Sequence, residues 1–242
     1  MKNQYVGDIN DYVKFGVLRC LARHGARLGV CWMLTADDSR TDGSHTDYLL
    51  QPLRYRFHDP DLFDVLNRIV DSGLRSTAQI ERTNILPAAA YHSAILPVDP
   101  AGRRAYFREL EEKCRSCNLL FFDPDNGVEV PSVRKGQRGS EKYLFWDELA
   151  RFALARGAAL VYQHFPRVKR VPYIRTRILE MRQRLGLGRV VAFKAGRTAF
   201  FLWISRRSDL RWEEALAEIR LQWTAEKGTS ASHRALLEVV LP

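Results

Sequence analysis

Residues 118–130 read NLLFFDPDNGVEV, and they carry the densest chemistry in the chain. Leu119–Phe122, a short apolar run, stops abruptly at Asp123-Pro124-Asp125-Asn126-Gly127, the pattern of a buried strand ending in a turn. Two carboxylates, an amide and a glycine at a strand end could hold a metal, a sugar hydroxyl or an amino group. The same residues would also serve as a plain surface turn. A second group follows the apolar run 28–34, where the polar loop 35–45 holds Asp37, Asp38, Asp42 and His45. A third follows 158–162: Gln163, His164, Phe165 and Arg167, with Phe165 placed to stack on a base and Arg167 to hold a phosphate. Asp and His suit Mg, Mn or Zn, so Asp37, Asp38, His45, Asp123 and Asp125 form a candidate one- or two-metal set for phosphodiester cleavage. No HExxH or EF-hand spacing accompanies them. Cys114 and Cys117 make one CxxC, but Cys20 and Cys31 do not make the second pair that zinc would need.

These groups need elements to bring them together. Val13, Val17, Leu18 and Leu21 recur at helical spacing, predicting a helix over residues 10–24 with Asp11 and Lys14 on one face. Further helices are predicted over 59–70, 76–83, 103–113, 146–155, 171–185 and 210–223. Strands are expected near residues 30, 95, 120, 160, 191 and 201. Such alternation predicts a single α/β domain spanning residues 1–242: a doubly wound, mostly parallel, Rossmann-like sheet with helices on both faces. In such a sheet, ligands bind beyond the carboxyl ends of the strands. That rule would gather Asp37, Asp38, Asp42, His45, Asp99, Asp123, Asp125, Asn126, Gln163 and His164 in one crevice. Residues 131–141 read as a mobile basic loop, and the tail 230–242 carries no clear pattern.

Charge narrows the partners. Lys and Arg number 38 against 28 Asp and Glu, a formal +10. The excess clusters at Arg134, Lys135 and Arg138 and again at Arg167, Lys169 and Arg170, followed by Arg175 and Arg177. Such patches are an electrostatic footprint for DNA or RNA. No apolar run approaches the roughly 20 residues of a membrane helix, so no membrane partner is expected. A polar N-terminal stretch and only four cysteines point to a cytoplasmic protein. Oligomeric state leaves no trace in the sequence.

Two segments resemble the Rossmann-like S-adenosylmethionine-dependent methyltransferases, in particular the bacterial ribosomal RNA adenine-N6 methyltransferases. Gly7-Asp8-Ile9-Asn10-Asp11-Tyr12-Val13-Lys14-Phe15-Gly16-Val17-Leu18 is similar to the family's N-terminal Gly-x-x-x-Asp-x-x-Lys-x-x-Val-Leu. Leu120-Phe121-Phe122-Asp123-Pro124 matches the first half of its apolar-Asp-Pro-Pro-Tyr turn; Asp125 and Asn126 stand where that family has Pro-Tyr. Residues 35–43 are acidic where the family carries a glycine-rich loop. The resemblance implies S-adenosylmethionine as cofactor, with Asp37 and Asp99 near it. It implies catalysis at Asp123, which would accept a hydrogen bond from a target base amine, with Asp125, Asn126 and His164 beside it. Lys14 and Arg167 would hold phosphate, and Arg134, Arg138, Phe165, Lys169 and Arg170 would contact nucleic acid. Two other readings stand beside this one. One is a nuclease or phosphoesterase using Mg or Mn; the other is a degenerate methyltransferase fold kept as a nucleic-acid-binding or partner module.

Overall fold

A computed structural model describes residues 1–36, 43, 45–186, 188–224 and 235–241. Seven strands form the central sheet: β1 (Leu28–Cys31), β2 (Ala90–His92), β3 (Leu119–Phe122), β6 (Ala158–His164), β7 (Gly188–Ala195), β8 (Thr198–Ser205) and β9 (Glu238–Val240). Their spatial order is β2-β1-β3-β6-β8-β7-β9. The first four run parallel. β8 lies antiparallel between β6 and β7, and β9 pairs antiparallel with β7 at the edge. A second, two-stranded ladder pairs β4 (Gly127–Val128) with β5 (Tyr143–Leu144).

Successive strand residues point to opposite faces, and the sheet therefore has two cores. Val30, Phe121, Leu160, Phe193 and Phe200 lie in one core. The helices α1 (Ile9–Arg23), α3 (Pro60–Asp71) and α8 (Trp212–Ile219) supply its other side. Cys31, Phe122, Val161, Ala192 and Phe201 lie in the other. It is covered by α5 (Pro100–Lys113), α6 (Trp146–Arg156) and α7 (Arg170–Leu185). Two short helices, α2 (Pro52–Tyr55) and α4 (Thr77–Arg82), complete the set. Helices on both faces and near-continuous apolar strands are what a sheet buried on both sides requires.

The helix that matters most for the site is α1. Asp8 caps it, its carboxylate accepting the Asp11 amide at 2.9 Å. Val17, Leu18 and Leu21 are buried, each worth about 1.5–3 kcal/mol of transfer free energy. Gly16 is the point of closest approach: a Cβ there would lie 1.9 Å from the Trp223 indole. Arg19 fixes the helix laterally, donating to Asp59 at 2.7 Å and to the Ile85 carbonyl at 2.7 Å. Asp59 in turn caps α3, ahead of Pro60 at its first position, where the missing N–H costs nothing.

Besides α2 and the β4–β5 ladder, which were not expected, three elements depart from the sequence expectation. The strand expected near residue 95 is β2, earlier in the chain, because the chain returns to the sheet at Ile95 only as a single bridge to Leu34. The last helix gives way after Ile219 to a π turn, Arg220–Thr224. There the Trp223 carbonyl accepts the amides of Leu236 and Leu237 while its ring lies under α1. The third is β9, whose three residues are too few for any periodicity to show. No helix among the described residues is long and apolar enough to cross a membrane.

Candidate functional site

The order β2-β1-β3 means that the chain leaves β1 first toward one side and later toward the other. The crevice at the carboxyl ends of β1 and β3 is therefore the topological switch point of the sheet. The Asp123 amide extends the β1–β3 ladder by one bond, donating to the Cys31 carbonyl at 3.0 Å. Beyond it the Asp-Pro-Asp-Asn-Gly segment turns into β4 at Gly127, whose φ of +113° favours glycine. Gln163 on β6 clamps this turn. Its Oε1 accepts the Val128 amide at 3.1 Å, and its Nε2 donates to the carbonyls of Asn126 and His164 at 2.7 and 2.9 Å. Gln163 is thus committed to holding the turn.

Lys14 enters the crevice from α1. Its Nζ lies 2.5 Å from Asp11 Oδ1 and 2.6 Å from Asp123 Oδ2, and all three side chains are buried. The rings of Phe15, Trp32, Phe121 and Tyr162 surround the ammonium at 5.0–6.0 Å, within the range of cation–π attraction. Burial opposes the charge on Lys14, but Asp11 and Asp123 outweigh it and raise its pKa above the ordinary value. Burial also pushes the Asp11 carboxyl up to about 7, against the pull of Lys14 and with help from Asp8 and Asp123. Asp8, capping α1 beside them, is likewise raised by burial. Burial raises the Tyr162 phenol well above its usual value, and the surrounding acids add to the effect. It remains a neutral O–H at physiological pH. Asp125 completes the group: Oδ1 lies 2.6 Å from the Met1 amino nitrogen, and Oδ2 accepts the Thr35 hydroxyl at 2.9 Å.

These side chains floor a cleft with two parts. The inner part is a void of about 40 Å³ against Asp8, Asp11, Lys14, Asp123 and Tyr162. It has room for about two or three waters or one small polar group. It shares Asp8, Asn10, Asp125 and Tyr162 with an outer cleft of about 550 Å³, a volume in the range of small-molecule sites. Across from the acids, the outer cleft is lined by His45, Asn126, Lys142, His164, Arg197 and Thr198. Burial, reinforced by Arg197, lowers the His164 pKa, so the imidazole is neutral near pH 7. The outer cleft therefore carries both signs of charge, Asp8 and Asp125 lining it together with Lys142 and Arg197.

The structure brings together Lys14, His45, Asp123, Asp125, Asn126 and His164 from the expected set. Asp37, Asp38 and Asp42 lie outside the described residues. Asp99 is elsewhere: it is the exposed N-cap of α5, accepting the Gly102 amide at 2.7 Å, and does not line the cleft. Lys14 does not present its ammonium to a phosphate, because both carboxylates have taken it. Nor is Phe165 open to stack on a base. It is 8% exposed and packs edge-on against Tyr173 at 5.9 Å, with Arg170 over its ring. Arg134, Arg138, Arg167, Lys169 and Arg170 are all exposed. The loop carrying Arg134 and Arg138 lies against the start of α5, where a Cβ on Gly136 would sit 3.1 Å from the Pro100 side chain. Its far end is fixed by buried Arg103, which donates to Glu148 at 2.6 and 2.9 Å and to the Ser140 and Tyr143 carbonyls.

Among the described residues no three His, Cys, Asp or Glu side chains converge on a metal position. The space between Asp11 and Asp123 is filled by Lys14. The four cysteines are buried and unpaired as disulfides. Asp8, Asp11, Lys142 and Arg197 were not singled out as site residues from sequence. The signal for Asp11 was present, since it shares a helical face with Lys14 at i, i+3. The chain matches no family model and no curated protein sequence.

Proposed function

We propose that this protein is a methyltransferase acting on nucleic acid, with Asp123 as the residue that receives the target base amine. One observation carries the reading. The two motifs that resemble the adenine-N6 methyltransferases lie far apart in the chain, yet they meet at the switch point through the Lys14–Asp123 bond of 2.6 Å across a sequence separation of 109. The void beside that bond opens into a cleft large enough for a ligand.

S-adenosylmethionine fits the polar character of the outer cleft. Asp8, Asn10, Asp125 and Asn126 offer acceptors for a cationic sulfonium, an amino group and ribose hydroxyls, and Lys142 and Arg197 offer cations for a carboxylate. When bound, the cofactor supplies an electrophilic methyl group. Everything else falls to the side chains of this chain. Lys14 holds the Asp123 carboxylate at 2.6 Å, leaving it to accept an N–H of the target amine and direct the nitrogen lone pair outward toward the cleft. The proton released on methylation passes to the Asp123–Lys14–Asp11 cluster. Asp11, with its carboxyl at about 7, is the member poised to hold a proton near neutrality. Asn126 and His164 line the path of the base, and Tyr162 bridges the inner and outer parts. Alignment supplies the bulk of the rate in such a reaction.

Isothermal titration calorimetry with S-adenosylmethionine in the absence of metal tests the proposal. Saturable binding that is lost in Asp8→Asn/Asp125→Asn supports it. Absence of heat, together with thermal stabilisation by Mn alone, would overturn it, since a ligand selective for the native state raises its stability.

A further inference from the structure

The far rim of the sheet, opposite Asp123, holds a second depression, where β7 begins at Gly188 and β8 ends at Ser205. We propose that it is a phosphodiester-binding subsite that anchors a single-stranded nucleic acid remote from the reacting base. The identity of the strand as substrate rests on the function proposed above; the anion-binding chemistry does not.

The depression is about 490 Å³ and is lined by Arg182, Arg189, Ser205, Arg206, Ser208 and Trp212. Its lining is rich in donors. Three guanidinium groups converge with two hydroxyls, and each hydroxyl oxygen already accepts a backbone amide. Ser205 accepts from Arg207 at 3.2 Å and Ser208 from Leu210 at 3.3 Å, which leaves their O–H hydrogens to be donated outward. Arg189 has Glu213 as partner at 2.7 Å. Arg182 and Arg206 are exposed, and among the described residues neither has a carboxylate partner. Exposed guanidiniums without acids, backed by hydroxyl donors, recognise phosphate oxygens. Arg189 also lies over the Trp212 indole at 4.4 Å. An aromatic and guanidinium platform of this kind offers a stacking surface that every base can use.

The depression is joined to the cleft by charge. α7 begins at Arg170, beside Phe165 and His164 at the mouth of the cleft, and its last turn carries Arg182 and Arg184. Arg170 and Arg182 are separated by about 18 Å of helix axis at 1.5 Å per residue. Between them Arg175 is exposed and Glu180 is already paired with Arg177 at 2.8 Å. A strand crossing this helix obliquely would meet cations near the cleft and again at the far rim. The expected footprint is on the order of five or more nucleotides at ~3.4 Å each.

Fluorescence anisotropy with labelled single-stranded oligonucleotides of about 6 and about 20 nucleotides, titrated between about 50 and 200 mM salt, tests this. The wild-type protein is expected to bind the longer strand more tightly. Arg182→Gln/Arg206→Gln is expected to reduce the log–log salt slope for the longer strand by roughly 1.4, the loss of two phosphate contacts at about 0.7 each. Calorimetric binding of S-adenosylmethionine should not change. Arg104→Gln/Arg108→Gln removes the same charge from α5 and should leave the slope at the wild-type value. A wild-type slope in Arg182→Gln/Arg206→Gln, or an equal fall in the α5 control, overturns the subsite. If the slope falls as expected while the protein neither binds the cofactor nor transfers methyl groups, the subsite stands and the proposed reaction fails.

Discussion

Replacing Lys14 with Met keeps the volume and removes the ammonium that Asp11 and Asp123 share. Asp11 and Asp123 would then face each other buried and without their shared cation. Stripping one partner from a buried ion pair costs about 3–5 kcal/mol. The pH dependence of that loss follows from Asp11. Its carboxyl binds a proton more tightly in the folded chain, at about 7 against an ordinary 3.8. Taken alone, Asp11 therefore costs nothing below about 3.8, and its penalty builds as pH rises from there to about 7 and is complete above it. At ~1.36 kcal/mol per unit the penalty above neutrality is on the order of 4 kcal/mol, with the pull of Lys14 already included. Without Lys14 the Asp11 carboxyl loses the cation that holds its pKa down, and the penalty at alkaline pH grows. Thermal melts followed by circular dichroism at about pH 5 and pH 8 measure this. At the higher pH, Lys14→Met should melt roughly 6–20 °C below wild type, taking 2–4 °C per kcal/mol for a chain of this size. At the lower pH much of the gap should close. A variant that melts within a few degrees of wild type at both pH values would refute the reasoning.

Two further substitutions probe the scaffold of the site. Gly127→Ala places a side chain at a φ of +113° and a Cβ 2.3 Å from the Gln163 amide. The strain and the broken clamp should lower stability by about 2 kcal/mol or more and weaken ligand binding in the cleft, as read by melts and calorimetry. Gly16→Ala drives a methyl group into the Trp223 indole at 1.9 Å. It should destabilise by about 1–3 kcal/mol and shift Trp fluorescence, without changing the residues that line the cleft.

Much of the scaffold was legible in the sequence, for a physical reason. β1, β3, β6 and β8 are buried on both faces, so they read as unbroken apolar runs, and the acidic turn after Phe122 could be placed at a sheet edge from that alone. The crevice was legible because residues that follow parallel strands share one rim. Asp123, Asp125, Asn126 and His164 do meet there with Lys14. Pairings across the fold were not legible. Nothing local marks Arg103 as the partner of Glu148, or Gln163 as the clamp on Val128, since each bond joins elements tens of residues apart. Asp99 misled because an acid after a strand also suits a helix N-cap, which is the use the chain makes of it. Phe165 misled because a strand-end aromatic can turn inward, and this one packs beneath Tyr173. Lys14 was expected to meet phosphate because, although Asp11 beside it on the helix was legible, nothing local marks Asp123, 109 residues away, as its second partner.

The central claim is that Asp123 receives a base amine for methyl transfer. The direct measurement is transfer of a radiolabelled methyl group from S-adenosylmethionine to unmodified RNA and DNA by the wild-type protein and by Asp123→Asn, which keeps the size of the side chain and leaves Lys14 its bond to Asp11. Label is expected in nucleic acid with the wild-type protein, and a loss of at least about 100-fold in Asp123→Asn, the scale of removing a group that acts in the transition state. Equal transfer by both proteins, or none by the wild type on either polymer, would contradict it.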